Sequence, residues 1–145
     1  MSIFNAMNNT ASALTAQRLR MDVISSNMAN VDTTRGPNGE PYRRKMVVFE
    51  PAQGGFQSYL QKAMATSNAG GGVKVSRIVE DQSPFKMMYQ PDHPDADENG
   101  YVRMPNVDPL KEMVDLMSAT RSYEANVTVF NATKGMMMKA LEIGK

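Results

Sequence analysis

The stretch best equipped for chemistry is Pro91-Asp92-His93-Pro94-Asp95-Ala96-Asp97-Glu98-Asn99-Gly100. Asp95, Asp97 and Asn99 place oxygen ligands at alternate positions ahead of a glycine, as in the first half of a calcium-binding EF-hand loop. The second half breaks the match: Asn106 stands where a bidentate glutamate is needed, Pro105 intrudes, and Pro91 and Pro94 occupy the place of an incoming helix. His93 is the sole histidine, which excludes a two-histidine metal site and leaves a histidine-based triad without a local signature. Asp97 and Glu98 are adjacent, so in extended chain they point apart rather than forming an acid and base pair. The chain has no cysteine, hence no disulfide, thiol nucleophile or cysteine zinc site. Gly70-Gly71-Gly72 is followed by no Gly-Lys-Ser/Thr and leads into a strand, so it reads as a hinge rather than a phosphate loop. The acidic run is therefore expected to be a solvated turn. No catalytic, cofactor-binding or metal-binding residue is assigned, and an enzyme is not expected.

The elements around this loop are more informative. From Asn106 to Lys145 apolar residues recur in a three-then-four rhythm: Met113, Leu116, Thr120, Tyr123, Val127, Phe130, Met137 and Leu141, interrupted by Lys134. That period marks a coiled-coil seam on one long helix. Asp108 is a good N-cap, Pro109 suits the first turn and Gly144 is the stop. Such a helix is roughly 50 Å long, more than a compact domain of this size needs. At the other end Met7, Leu14, Met21 and Met28 are spaced seven apart, with Phe4, Ala11, Ile24 and Val31 three or four residues away and Gln17 and Arg18 on or beside the face. The expected partnership is an antiparallel coiled coil, in the register Met7 to Met137, Leu14 to Phe130, Met21 to Tyr123 and Met28 to Leu116. One seam alone would be ordinary bundle core; two at opposite termini suggest contacts with other chains.

Between the helices, Asn27-Met28-Ala29-Asn30-Val31-Asp32-Thr33-Thr34 is rich in side chains that compete for backbone hydrogen bonds and end a helix. Tyr42 to Glu50 reads as a strand; Phe56, Tyr59, Leu60 and Ala63 suggest a short amphipathic helix. Val73 to Glu80 alternates as a strand with one wetter face, Phe85 to Tyr89 is its expected hairpin mate, and Tyr101 to Met104 is a further short strand. The Arg43-Arg44-Lys45 cluster reads as a charged strand face. With 145 residues and a net charge of +1, the chain is one domain's worth of sequence, and nucleic acid is not the expected partner. The fold expected is α+β: residues 1–35 form an N-terminal coiled-coil helix and asparagine-rich turn, 36–105 a β-rich insert, and 106–145 a C-terminal coiled-coil helix. The N-terminus lacks a basic segment followed by an apolar core, and no apolar run approaches bilayer length, so a soluble chain without a Sec signal is expected.

Three blocks resemble the rod and hook axial proteins of the bacterial flagellum. The first is Ser26-Asn27-Met28-Ala29-Asn30-Val31-Asp32-Thr33; where that family commonly continues Thr-Pro-Gly, this chain has Thr34-Arg35-Gly36-Pro37-Asn38-Gly39. The second comprises Gly71-Gly72-Val73-Lys74-Val75, Pro91 to Asp97, and Gly100-Tyr101-Val102-Arg103-Met104-Pro105-Asn106-Val107. The third is Glu112-Met113-Val114-Asp115, Arg121-Ser122-Tyr123-Glu124-Ala125-Asn126 and Lys134. The resemblance implies a structural subunit of the proximal rod, the periplasmic shaft that carries torque from motor to hook. It further implies export by the flagellar type III apparatus, no cofactor, and partners among other copies, the rod subunits FlgB, FlgF and FlgG, and the rod base protein FliE. The expected assembly interface comprises Met7, Leu14, Met21, Met28, Asn27, Asn30, Leu116, Tyr123, Val127, Phe130 and Met137. From a different functional class, a soluble coiled-coil module gripping one target helix is the alternative.

Overall fold

The computed structural model of the chain describes residues 3–52 and 71–144. Two long helices enclose a small β insert: α1 (Ile3–Ala29), β1 (Lys45–Pro51), β2 (Val73–Glu80), β3 (Lys86–Tyr89), β4 (Tyr101–Met104) and α2 (Pro109–Ile143). The expected amphipathic helix around Phe56, Tyr59, Leu60 and Ala63 lies outside the described residues. α1 ends where Asn30 takes over the last turn, its amide N–H and its Nδ2 both donating to the Ser26 carbonyl, at 3.2 and 2.8 Å. α2 starts as its sequence requires, with the Asp108 carboxylate accepting from the Leu110 N–H at 3.1 Å and proline in the first turn.

The helices pack against each other with opposite sense. Asn27 meets Glu112, whereas Met21, further back along α1, meets Thr120, further along α2, at 3.7 Å. Arg20 and Asp115 add an ion pair at 3.5 Å. The Met21 contact falls about one turn from Tyr123, its expected rung.

Burial corrects half of each expected stripe. On α2, Leu116, Tyr123, Val127, Phe130 and Met137 are half-buried as the seam requires, but the fully buried positions are Glu112, Ala119 and Thr133. Met113, Thr120 and Leu141 are exposed. Buried or half-buried positions thus recur at 112, 119, 126 and 133, one residue before the expected row, of which Val127 alone is half-buried and Lys134 is exposed. On α1, Met7, Leu14, Met21 and Met28 are half-buried, Thr10, Ala16, Val23, Ile24 and Asn27 are buried, and Phe4, Ala11 and Arg18 are exposed. Small and polar residues can hold these sites because their own helix satisfies them. Thr10 Oγ1 donates to the Ala6 carbonyl, Thr133 Oγ1 to the Val129 carbonyl and Asn126 Nδ2 to the Ser122 carbonyl, at 2.8–2.9 Å.

β1 and β2 form an antiparallel ribbon from Lys45 opposite Glu80 to Pro51 opposite Val73, with an irregularity at Val48/Phe49. β3 does not pair with β2, as sequence proximity suggested. It pairs with β4, Lys86 opposite Met104 through Tyr89 opposite Tyr101. The turn after β2 is captured elsewhere: Asn106 Nδ2 donates to the carbonyls of Asp81 and Ser83, at 2.9 and 3.2 Å.

The β1/β2 ribbon is fastened to α1 at two places. At one end Lys45 exchanges both backbone hydrogen bonds with the Asn27 side chain, at 2.8 and 2.9 Å. At the other, Ser12 Oγ accepts from the Val73 N–H at 3.1 Å while donating to the Asn9 carbonyl at 2.7 Å. Asn27 and Ser12 lie roughly 22 Å apart along α1 at 1.5 Å per residue. Lys45 and Pro51, the latter paired with Val73, span roughly 20 Å of strand. The lengths match, so the ribbon lies straight along the helix. Gly72 permits this approach: a Cβ there would overlap the Ser12 hydroxyl.

Candidate assembly junction

Three buried polar residues converge where α1 ends, β1 begins and α2 starts. Glu112 is fully buried, and Asn27 and Arg44 are nearly so. A buried carboxylate is costly unless paired and hydrogen-bonded, and Glu112 is both. Its Oε1 accepts from Arg44 Nε at 2.5 Å and its Oε2 from Asn27 Nδ2 at 3.0 Å. The Arg44 guanidinium continues to Asp115 Oδ2 at 3.1 Å and reaches Asp81 Oδ2 at 3.9 Å. The Arg44 backbone N–H donates to Asn106 Oδ1 at 2.8 Å. Asn27 Oδ1 also accepts from the Tyr42 hydroxyl at 3.0 Å, so this side chain imitates a strand residue toward Lys45 while holding the first turn of α2. Asp81 has its carboxyl held below the usual range, first by hydrogen bonds from the Ser83 backbone and hydroxyl, with Arg44 and Lys111 adding attraction and partial burial opposing them.

Of the residues expected at the interface, Asn27 is thus the hub, and Asn30 Oδ1 accepts from Thr33 Oγ1 at 3.2 Å in the turn beside it. Arg44 and Glu112 were not singled out. Arg44 sits in a basic run that reads as a charged strand face, yet it is buried; Glu112 looks like an ordinary acid in a helix's first turn. The available signal for Glu112 was its place at the head of the third resembling block; Arg44 lies in none of the blocks.

The acidic loop is a stapled turn. Asp95 Oδ2 accepts from Thr34 Oγ1 at 2.8 Å, and Asp95 Oδ1 pairs with Arg35 at 2.6 Å. Asp97 Oδ1 accepts from the N–H groups of Asn99 and Tyr101, both at 2.9 Å, and Gly100 adopts a positive φ of 79°. His93 Nδ1 accepts from the Asp95 N–H at 3.1 Å. Among the described residues no cluster of three or more histidine, aspartate or glutamate side chains is placed to hold a metal, and no helix is long and apolar enough to cross a membrane. The Asp95 contacts fasten the asparagine-rich turn to the insert.

Away from the junction, α2 turns apolar residues outward. Leu110, Met113, Val114 and Met117 are each more than half exposed at i, i+3, i+4 and i+7, and Met136, Met138, Leu141 and Ile143 are exposed at the far end.

Two family models match the chain: "Flagella basal body rod protein" over residues 7–37 and "Flagellar basal body rod FlgEFG protein C-terminal" over residues 98–143. The flagellar basal-body rod protein FlgC of Bacillus subtilis is 64% identical over the full length of both chains. The chain belongs to the FlgC family. The FlgC of Salmonella typhimurium is 48% identical over the full length of both chains, and that of Borreliella burgdorferi 47% over 99% of this chain and 98% of the relative. The two matched segments contain Asn27 and Glu112, so the junction joins the two segments that the family models match, and Arg44, from the intervening insert, ties them to the sheet.

Proposed function

We propose that the chain is a structural subunit of the flagellar basal-body rod, polymerising into the shaft that transmits torque from motor to hook. Full-length similarity to FlgC rod proteins carries this reading. The geometry supports it, because the apolar residues exposed at both ends of α2 form patches of the kind that mark protein interaction sites. Heterologous, non-closing contacts through such faces build a shaft rather than a ring. Other copies, FlgB, FlgF and FlgG, and the base protein FliE are the partners in this reading. The chain travels through the type III export apparatus to a periplasmic rod. α1 and α2 pair there as an antiparallel coiled coil, with residues 1–35 and 106–145 as the helical parts and 36–105 as the insert. Met7, Leu14, Met21 and Met28 on α1 and Leu116, Tyr123, Val127, Phe130 and Met137 on α2 line the seam.

The test replaces Val114 and Met117 by lysine. Surface changes of this kind move monomer stability by no more than about 0.5 kcal/mol, so the purified variant unfolds as the wild type does, while cells carrying it assemble no rods in electron micrographs. Complete rods in that variant would remove the outer face of α2 from the assembly contacts, and complete rods in a deletion strain would remove the rod function itself.

A further inference from the structure

Among the described residues of the insert, a cluster of cations and a pair of carboxylates are left without ion-pair partners. Phe85, just before β3, collects two guanidinium groups: Arg43 lies 4.3 Å and Arg103 5.8 Å from the ring centre, both within cation–π range. Arg20, Arg35 and Arg44 each pair with a carboxylate, but among the described residues neither Arg43 nor Arg103 does. Lys86, next to Phe85, sends its ammonium to the Val107 carbonyl at 2.9 Å, adding a third cation to this end of the hairpin. The ring thus holds two like charges in place that would otherwise separate.

The negative pole is at the opposite end of the same hairpin. β3 and β4 run from Phe85 and Met104 to the loop that begins after Tyr89 and ends at Tyr101. In that loop Asp95 is occupied by Thr34 and Arg35, and Asp97 by backbone N–H groups. Asp92 and Glu98 are exposed, and neither has a hydrogen-bond or ion-pair partner among the described residues. Four-residue strands put the poles roughly 10–14 Å apart, beyond a Debye length of about 8 Å at physiological salt. Among the described residues no ion pair joins them within one molecule.

Accepting the rod reading above, we infer that the Phe85-centred pair Arg43 and Arg103 is a docking site for the acidic loop of a second copy, receiving its Asp92 and Glu98. The match is one of charge and chemistry: guanidinium forks held on an aromatic face are suited to carboxylates. Because the poles sit at opposite ends of one hairpin, each copy that docks leaves a free pole of each sign, and the contact repeats head to tail. It orients successive inserts around the shaft, complementing the apolar contacts of the helices.

Charge reversal in the native flagellated host tests this. Arg43→Glu/Arg103→Glu and, separately, Asp92→Lys/Glu98→Lys are each expected to abolish swimming in soft agar, and the chain carrying all four reversals to restore it. The lysine pair alters exposed side chains with no hydrogen-bond or ion-pair partner among the described residues, and an unfolding midpoint of the purified variant equal to that of the wild type separates its loss of swimming from a folding defect. Wild-type swimming by either pair, or failure of the fourfold variant to swim, overturns the contact. A deletion strain that still swims overturns the rod reading instead.

Discussion

The junction and the outer face of α2 begin on the same turns of one helix and follow opposite rules. Inward, Glu112 and Asp115 are engaged by Arg44, and Glu112 also by Asn27; outward, Met113, Val114 and Met117 have apolar side chains in solvent. Polar groups are inside and apolar groups outside, the reverse of a free-standing domain. What the contrast teaches is that directional bonds fix the junction, while the apolar side chains of the outer face are left in solvent. Directional bonds fix one geometry, whereas an apolar, methionine-rich surface adapts to several.

The largest expected effect breaks the junction. Glu112→Leu leaves the Arg44 guanidinium buried without its main counter-charge, and losing one partner of a buried pair costs about 3–5 kcal/mol. Denaturant unfolding of the purified chain measures it; a loss no larger than that of Val114→Lys would erase the distinction between the two faces. Next is the second fastening of the ribbon. Gly72→Ala forces a Cβ into the Ser12 hydroxyl and costs about 1–3 kcal/mol, as overpacking does. Ser12→Gly in the same chain removes the clash, so the double variant should be more stable than Gly72→Ala alone; an equal or lower midpoint would assign the cost to backbone strain instead.

The outer region gives a smaller effect of opposite sign. Gly135 lies inside α2 with open space where its Cβ would be, so Gly135→Ala should stabilise the helix by roughly 1 kcal/mol. A destabilised Gly135→Ala monomer would show that this part of α2 is constrained by its own chain. The smallest effect is a pH dependence. The Asp81 carboxyl is depressed mainly by Ser83, so its stabilisation is present above the ordinary carboxylate range. It is lost as pH falls through the lower folded value, because the unfolded chain then binds the proton first. Asp81→Asn should flatten this part of the acid limb, below the ordinary carboxylate range, and an unchanged limb would remove Asp81 from the junction's electrostatics.

Periodicity made the elements legible but not their faces. Val73 to Glu80 announced β2 by alternation, and Asp108-Pro109 announced the start of α2 by capping chemistry. The helix stripes were read by apolarity, which finds Leu116, Tyr123, Phe130 and Met137 but passes over Ala119 and Thr133, because a small residue or a hydroxyl bonded to its own helix carries no hydrophobic signal. The junction was legible at Asn27, whose residue type announces a backbone mimic. It was not legible at Arg44 or Glu112, since burial of a charge depends on a partner 68 residues away in sequence. Pairing of β3 with β4 rather than β2 was hidden for the same reason: Asn106, beyond both strands, decides where the intervening turn goes.

The two fastenings of the β1/β2 ribbon have a mechanical consequence. A part held at one pivot can swivel, whatever the strength of the pivot, whereas one held at two separated points resists a bending moment through opposed forces at the two. Asn27 and Ser12 give the ribbon such a mounting, with a lever arm of roughly 22 Å set by 1.5 Å per residue along α1. A sideways push on the insert is converted into tension at one fastening and compression at the other, and both are delivered to the same helix. Subunit stiffness against twisting then depends on the spacing of two modest hydrogen-bonded clasps more than on the strength of either.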